Sequence, residues 1–257
     1  MRVAHINAPF HAYNFSWRPV QMAIAPWIKS DLNYQAYFNN TAFDYVIMDN
    51  GIFEGEQPTH SDLHQLSRIA HADVIVLPDV HGDGEATLYR SKEMLDYLLC
   101  EAMYEGTVMF VPQGIPQSAW QRCLNSFLTW VPRSVDLVLG LAEACPHQVP
   151  ASKRPDLYPR HEVLHRLLDE PYPIHILGMP NLQRFVQFEL PYADRISSVD
   201  TSIAYALGMS GLVITPTVEK IQMFPVDKWK NVLISPLRHL VEHNRDMLDV
   251  WAKEGSV

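Results

Sequence analysis

The sequence predicts an α/β protein built as a single (β/α)8 TIM-type barrel over residues 1–257. Short apolar runs rich in β-branched residues recur along the chain, and helical patterns separate them. Continuous apolar strands joined through helices imply a parallel sheet covered on both faces. Length supplies the third observation: 257 residues is long for one ordinary domain and normal for one barrel of this kind.

In chain order the strand expectations are "RVAHIN", "DYVIMD", "ADVIVLPD", "TVMFVPQ", "DLVLGLAE", "PIHILGM" and "RISSVD", with a final strand expected in "GLVITP" or "NVLIS". The helices are expected in "SDLHQLSRIAHA", "EATLYRSKEMLDYLLCEAM", "SAWQRCLNSFLTWV" and "HEVLHRLLDE". Several of these open on capping residues or Pro, as helix starts do. Seven or eight such units in this length fit closure better than an open sheet. The open doubly wound fold is the rival, because periodicity does not register closure. Pro-rich "CPHQVPASKRPDLYPR" (145–160) is the longest irregular stretch and reads as a loop.

Composition narrows the class. With 47% hydrophobic residues the chain can bury a large core, yet no run approaches the length of a membrane span. The opening "MRVAHINAPF" lacks the apolar core of a signal peptide, so a cytoplasmic location is expected. Cys100, Cys123 and Cys145 are scattered and odd in number, which argues against a disulfide framework and lacks the close spacing of a zinc site. A formal charge of −9 argues against a broad nucleic-acid-coating surface but not against a local groove. No cofactor and no bound metal are expected.

The strand ends carry the chemistry. They deliver Asp49, Asp79, Gln113 with Gly114, Gly140 with Glu143, Gly178 and Asp200. In a parallel barrel these ends share one face, and that face holds the active site. Each position also has a plain structural reading. Asp49 with Asn50-Gly51 can form a turn, Phe53 can pack within its loop, and Asp200-Thr201 can cap the helical pattern "TSIAYALG". Asp79 can be a loop residue, or can join His81, Asp83 and Glu85 around a metal; a solvated acidic loop is the favoured alternative. His60/His64, His161/His165 and His239/His243 have helical i,i+4 spacing without any H-E-x-x-H pattern, so they are expected as surface histidines.

The order "DNGIFE" (49–54), "VLPD" (76–79), "VPQG" (111–114), "GLAE" (140–143), "HILG" (175–178) and "SVD" (198–200) resembles the tRNA-guanine transglycosylase superfamily. Its members exchange a guanine for a 7-deazaguanine within nucleic acid, on a (β/α)8 barrel. The resemblance implies Asp200 as the nucleophile at the anomeric carbon and Asp49 as the acid/base for the departing and arriving bases. It implies that Asp79 accepts from the N1–H and exocyclic amine of a guanine-like base. Gln113 and the Gly140 backbone would address O6, Phe53 would stack on the base, Leu177 would form the opposite wall, and Gly178 belongs to the same substrate-binding set.

Departures from the family pattern shape the substrate expectation. Ile52 stands where the family has a second Gly, and Glu54 where it has Gln. No cysteine follows Cys145, so the zinc-binding subdomain of the tRNA enzymes is expected to be lacking. A short, zinc-less, acidic relative is similar to the divergent branch that inserts 7-deazaguanines into DNA, including enzymes encoded by bacteriophages. The implied partners are DNA, with tRNA as the alternative, and a 7-deazaguanine base such as preQ0; a homodimer is an open expectation. If phage-encoded, the protein would act in the host cytoplasm. His11, Tyr13, Trp17 and Arg18 are candidates for holding a strand, with core packing of Trp17 as the alternative. The same chemistry on a free nucleoside, including hydrolysis, and a non-catalytic nucleobase-binding barrel are the other readings.

Overall fold

A computed structural model describes residues 1–7, 20–52, 55, 57–142, 159–178, 192, 194–211, 213 and 237–254. Eight strands close into one parallel barrel in sequence order. They are β1 (Arg2–His5), β2 (Val20–Ile24), β3 (Tyr45–Asp49), β4 (Val74–Val76), β5 (Thr107–Phe110), β6 (Leu137–Ala142), β7 (Ile174–Leu177) and β8 (Ile196–Thr201). The helices among the described residues are α1 (Ala25–Ser30), α2 (Leu32–Asn40), α3 (His60–Ile69), α4 (Gly84–Cys100), α5 (Gln117–Trp130), α6 (Arg160–Leu167), α7 (Ile203–Met209) and α8 (Arg238–Glu254). The expected closure is therefore found, and the open sheet is excluded. Among the described residues no helix is long and apolar enough to cross a membrane.

Closure uses a strand that the sequence pattern did not single out. The eighth member is "VQMAI" (β2), between β1 and β3, rather than "GLVITP" or "NVLIS". Of those two segments only Gly211 and Val213 are described, and neither lies in a strand. All of β2 is buried, and α1 follows it at the next residue, with Pro26 in the first turn. With no polar loop between the two elements, nothing in the pattern marks the change of period.

Alternation along the strands divides the apolar residues into two layers. Ala4, Val20, Met22, Ile24, Ile47, Val74, Val76, Met109, Val111 and Val138 fill the barrel. The intervening residues, such as Val46, Met48, Ile75, Val108 and Phe110, pack outward against the helices. Phe110 stacks on Phe127 of α5 with ring centroids 3.7 Å apart. Burying a side chain of that size stabilises by about 1.5–3 kcal/mol. The helix starts are built as their sequences require: Asp31 accepts from Asn33 N and Tyr34 N, Thr59 from Asp62 N, and Asp83 from Ala86 N.

The last helix folds back onto the start of the barrel. At Gly208 of α7 a Cβ would lie 2.5 Å from Val241 N, so the absence of a side chain lets α8 approach. His5 Nε2 of β1 lies 3.2 Å from Asp249 Oδ1 of α8. The Pro-rich segment over residues 145–158 lies outside the described residues, as do Phe53, Glu54, Glu143, His11, Tyr13, Trp17 and Arg18.

Candidate active site

Asp49 ends β3 two residues beyond Ile47, which fills the barrel, so its side chain faces inward at the C-terminal mouth. Its Oδ2 accepts from Gly51 N at 2.9 Å, with Gly51 at φ 78°. The turn anticipated at Asp49 is thus present, and it fixes the carboxylate at the mouth. Asn50 then bridges two loops: Nδ2 donates to Leu77 O and to Asp79 Oδ1, both at 2.9 Å, and Oδ1 accepts from Ile52 N at 3.0 Å.

Asp79 follows β4 and is 3% exposed. Helix α4 holds its loop: Ser91 Oγ donates to Pro78 O at 2.8 Å, and Thr87 Oγ1 accepts from Val80 N at 2.8 Å. Gln113 Nε2 donates to Asp79 Oδ2 at 2.6 Å, and Gln113 Oε1 accepts from Gly82 N at 3.3 Å. Burial pushes the Asp79 carboxyl up to about 6, against the two amide hydrogen bonds, which pull it down. An ionised carboxylate has about four acceptor sites, and Asn50 and Gln113 take two of them. The Asp79 backbone N–H also bonds the carboxylate, acceptor capacity is left over, and Gln113 Nε2 keeps a second hydrogen. The pair therefore offers adjacent acceptors and a donor.

Across the mouth, β7 and β8 hold a second group. Their pairing runs Ile174 to Ile196 and then His175 to Ser198, so Ser197 is an extra residue. Ser197 is exposed while its neighbours are buried. This bulge restores the inward phase at Ser198 and Asp200; without it Asp200 would face the helices. Asp200 Oδ1 lies 3.0 Å from His175 Nε2 and accepts from Gly178 N at 2.9 Å. His175 Nδ1 lies 2.7 Å from Ser198 Oγ. Of the Asp200-Thr201 pair read as a helix start, Thr201 takes that part, its Oγ1 accepting from Ile203 N at 3.0 Å, while Asp200 is engaged by His175 and Gly178.

Between the two groups, Gly140 of β6 faces the barrel interior. A Cβ there would lie 2.8 Å from Val111 Cγ2 and 3.0 Å from Leu177 Cδ1. Leu177 packs on the inner apolar layer. The structure thus joins Asp79 to Gln113, Gly140 to Leu177, and Gly178 to Asp200, and it places Asp49 beside the Asn50 bridge. Phe53 lies outside the described residues.

Asp83 is engaged as the N-cap of α4, and no group of three or more His, Cys, Asp or Glu able to hold a metal occurs among the described residues. His165, His239 and His243 are exposed. His60 and His64 are instead partly buried against Tyr97, with centroids at 6.2 and 6.3 Å, and burial lowers the His64 pKa. Two contributors had no assigned role in the sequence, His175 and Ser198, and Asn50 was read only as part of a turn. A histidine inside the apolar run "PIHIL" was the available signal, since a polar residue on a barrel's inner face requires partners.

No family model matches this chain, and no curated protein matches it. What the site can do therefore rests on its own geometry and on the chemistry of its residues.

Proposed function

We propose that the protein is a base-exchange transglycosylase, a pentosyltransferase that replaces guanine by a 7-deazaguanine derivative in DNA through a covalent Asp200–sugar intermediate. The observation that carries this reading is the braced Asp79–Gln113 pair at the barrel mouth. A guanine edge presents N1–H, an exocyclic amine and O6. The acceptor capacity left on the Asp79 carboxylate suits the N–H donors, and the second Nε2 hydrogen of Gln113 suits O6. Two carboxylates at the same mouth, Asp49 and Asp200, supply the rest of the chemistry.

In the first half-reaction Asp200 donates an electron pair to C1′ of the sugar while the C1′–N9 bond breaks toward the base. Positive charge develops on the sugar, and a carboxylate both stabilises it and traps the carbon. Asp49 protonates the departing base; its conjugate carboxylate then takes a proton from the incoming base as that base attacks C1′ and releases Asp200. The target nucleotide must be offered single-stranded or extruded, because its C1′–N9 bond is inaccessible within a stack.

DNA is the polynucleotide of this proposal, following the resemblance of the strand-end motifs to the branch that places 7-deazaguanines in DNA. Incubation with labelled guanine and single-stranded DNA, duplex DNA, tRNA or free nucleosides tests the proposal. Label entering DNA is the expected result. Label entering none of the four, with no base released by hydrolysis, would sink it.

A further inference from the structure

We infer that His175 is the positioning residue for the nucleophile: with the Gly178 amide it engages Asp200 Oδ1, leaving Oδ2 as the oxygen that attacks the sugar. This rests on the function proposed above and adds to it both the attacking atom and the residue that selects it.

The two carboxylate oxygens are unequal. Oδ1 meets His175 Nε2 at 3.0 Å and Gly178 N at 2.9 Å, whereas Oδ2 accepts no hydrogen bond among the described residues. A carboxylate only accepts, so the bond to Oδ1 places a proton on His175 Nε2. In the neutral ring Nδ1 is then an acceptor, and Ser198 Oγ–H donates to it across 2.7 Å. Ser198 thereby sets the ring's tautomer and its rotation. All three side chains are buried, with His175 at 0% exposure, so water does not compete for these bonds.

The second donor is aimed by the backbone. Arg160, at the start of α6, donates from Nη1 to Leu177 O and Gly178 O, each at 2.7 Å. In a planar trans peptide the Leu177 carbonyl and the Gly178 N–H point in opposite directions. Holding the carbonyl toward Arg160 therefore turns the N–H toward Asp200. Gly178 sits at φ 69°, a conformation that side-chain-bearing residues rarely adopt.

Both donors act in each half-reaction. As Oδ2 bonds to C1′, the C1′–N9 pair leaves with the base, and Oδ1 becomes the ester carbonyl under the same two donors. When the incoming base attacks C1′, the C1′–Oδ2 pair returns to Asp200 and the base's proton passes to Asp49. The charge that reappears is shared with Oδ1, where His175 and Gly178 already point. Preorganised donors of this kind need no rearrangement at the moment of reaction.

Rates of adduct formation with guanine-containing single-stranded DNA, read on denaturing gels, and the kcat and KM of labelled-base exchange test the assignment. His175→Leu keeps the volume and removes the donor; it should slow adduct formation about 100-fold with KM for the base unchanged. His175→Gln can place an amide N–H near the Nε2 position and should recover most of that loss. Ser198→Ala, which frees the tautomer, should slow it about 10-fold. Thermal melts establish that each variant is folded. Wild-type adduct with an unchanged rate in folded His175→Leu overturns the positioning role alone. A folded His175→Gln as slow as His175→Leu also overturns it, because shape rather than donation would then matter. A wild-type protein that forms no adduct and exchanges no base overturns the proposed function and this assignment with it.

Discussion

Gln113 Nε2 lies 2.6 Å from Asp79 Oδ2, and this contact ties the end of β5 to the end of β4 at a fully buried carboxylate. Asn50, just past β3, closes on the other oxygen at 2.9 Å. Three consecutive strands thus converge on one charge. A buried carboxylate is costly unless it is hydrogen-bonded, and two amides are the minimum that covers both oxygens.

Ionisation of Asp79 should govern base binding. The carboxyl is raised by burial from 3.8 to about 6. Below that pH one oxygen carries a proton and can no longer accept from the base, so guanine affinity should fall as pH drops through about 6. Stability runs the other way. The folded state binds this proton more tightly than the unfolded chain, so its contribution is fully present below the unfolded value and is lost as pH rises through about 6. That swing is worth about 3 kcal/mol at most. Calorimetric titration of guanine between pH 5 and 8, beside the stability of wild type relative to Asp79→Ala, should show opposite slopes. Affinity that stays flat across pH 6 would remove Asp79 from the recognition site. Asp79→Ala itself should cost about 2–5 kcal/mol of base affinity.

Asn50→Asp should be more damaging than Asn50→Ala. Either change leaves Leu77 O and Asp79 Oδ1 without the Nδ2 donor that now serves both, a loss of about 1–3 kcal/mol. The aspartate also sets a second negative charge against Asp79, which should move the pH dependence of base binding upward. Urea unfolding and the same titrations check both effects. Equal stability of the two variants would mean that Asp79 is not charged in the native protein.

The architecture was legible wherever elements are separated by polar turns. Seven of the expected strands coincide with β1 and β3 to β8, because all of these runs but the first, which ends on Asn7, end on Gly, Pro or a carboxylate. Strand β2 escaped because Ile24 passes into helical Ala25 with no intervening turn. The strand-end residues Asp49, Asp79, Gln113 and Asp200 were visible as polar termini of apolar runs. The pairing of these groups with one another and with Asn50, His175 and Ser198 was not. The Asn50 bridge depends on β3 and β4 being neighbours, and the inward aim of Asp200 depends on the Ser197 bulge, which is a property of pairing rather than of either strand alone. Strand alternation counted without the bulge puts Asp200 on the wrong face.

Gly140→Ala should destabilise the barrel by about 1–3 kcal/mol, the usual cost of overfilling a packed interior. The added methyl would meet Val111 Cγ2 at 2.8 Å, Leu177 Cδ1 at 3.0 Å and Met109 Sδ at 3.1 Å. Met109 can yield, but Val111 is branched and held in its strand-end position. Chemical denaturation gives the number. A fully stable variant with impaired exchange would instead place the close contact of Gly140 with the substrate rather than with its neighbours.

Asp200 and Asp49 should fail differently when neutralised. If Asp200 bonds to the sugar, the wild-type protein and a guanine-containing strand form an ester that survives denaturant, whereas hydrogen bonds and phosphate contacts do not. A shifted band on a denaturing gel is the expected sign, with a 7-deazaguanine analogue added to hold the equilibrium. Asp200→Asn should remove the band, since an amide is a poor nucleophile and cannot offset the developing charge on the sugar. The side chain would still find the Gly178 N–H within reach of its oxygen, so the fold should be retained. Asp49→Asn should leave nucleophilic attack possible and strand the proton transfer, slowing exchange by about 10²–10⁴-fold with a weak band remaining. Supplying a strand whose target base departs readily without protonation should rescue adduct formation in Asp49→Asn and not in Asp200→Asn. A band that persists in Asp200→Asn and vanishes in Asp49→Asn would exchange the two roles.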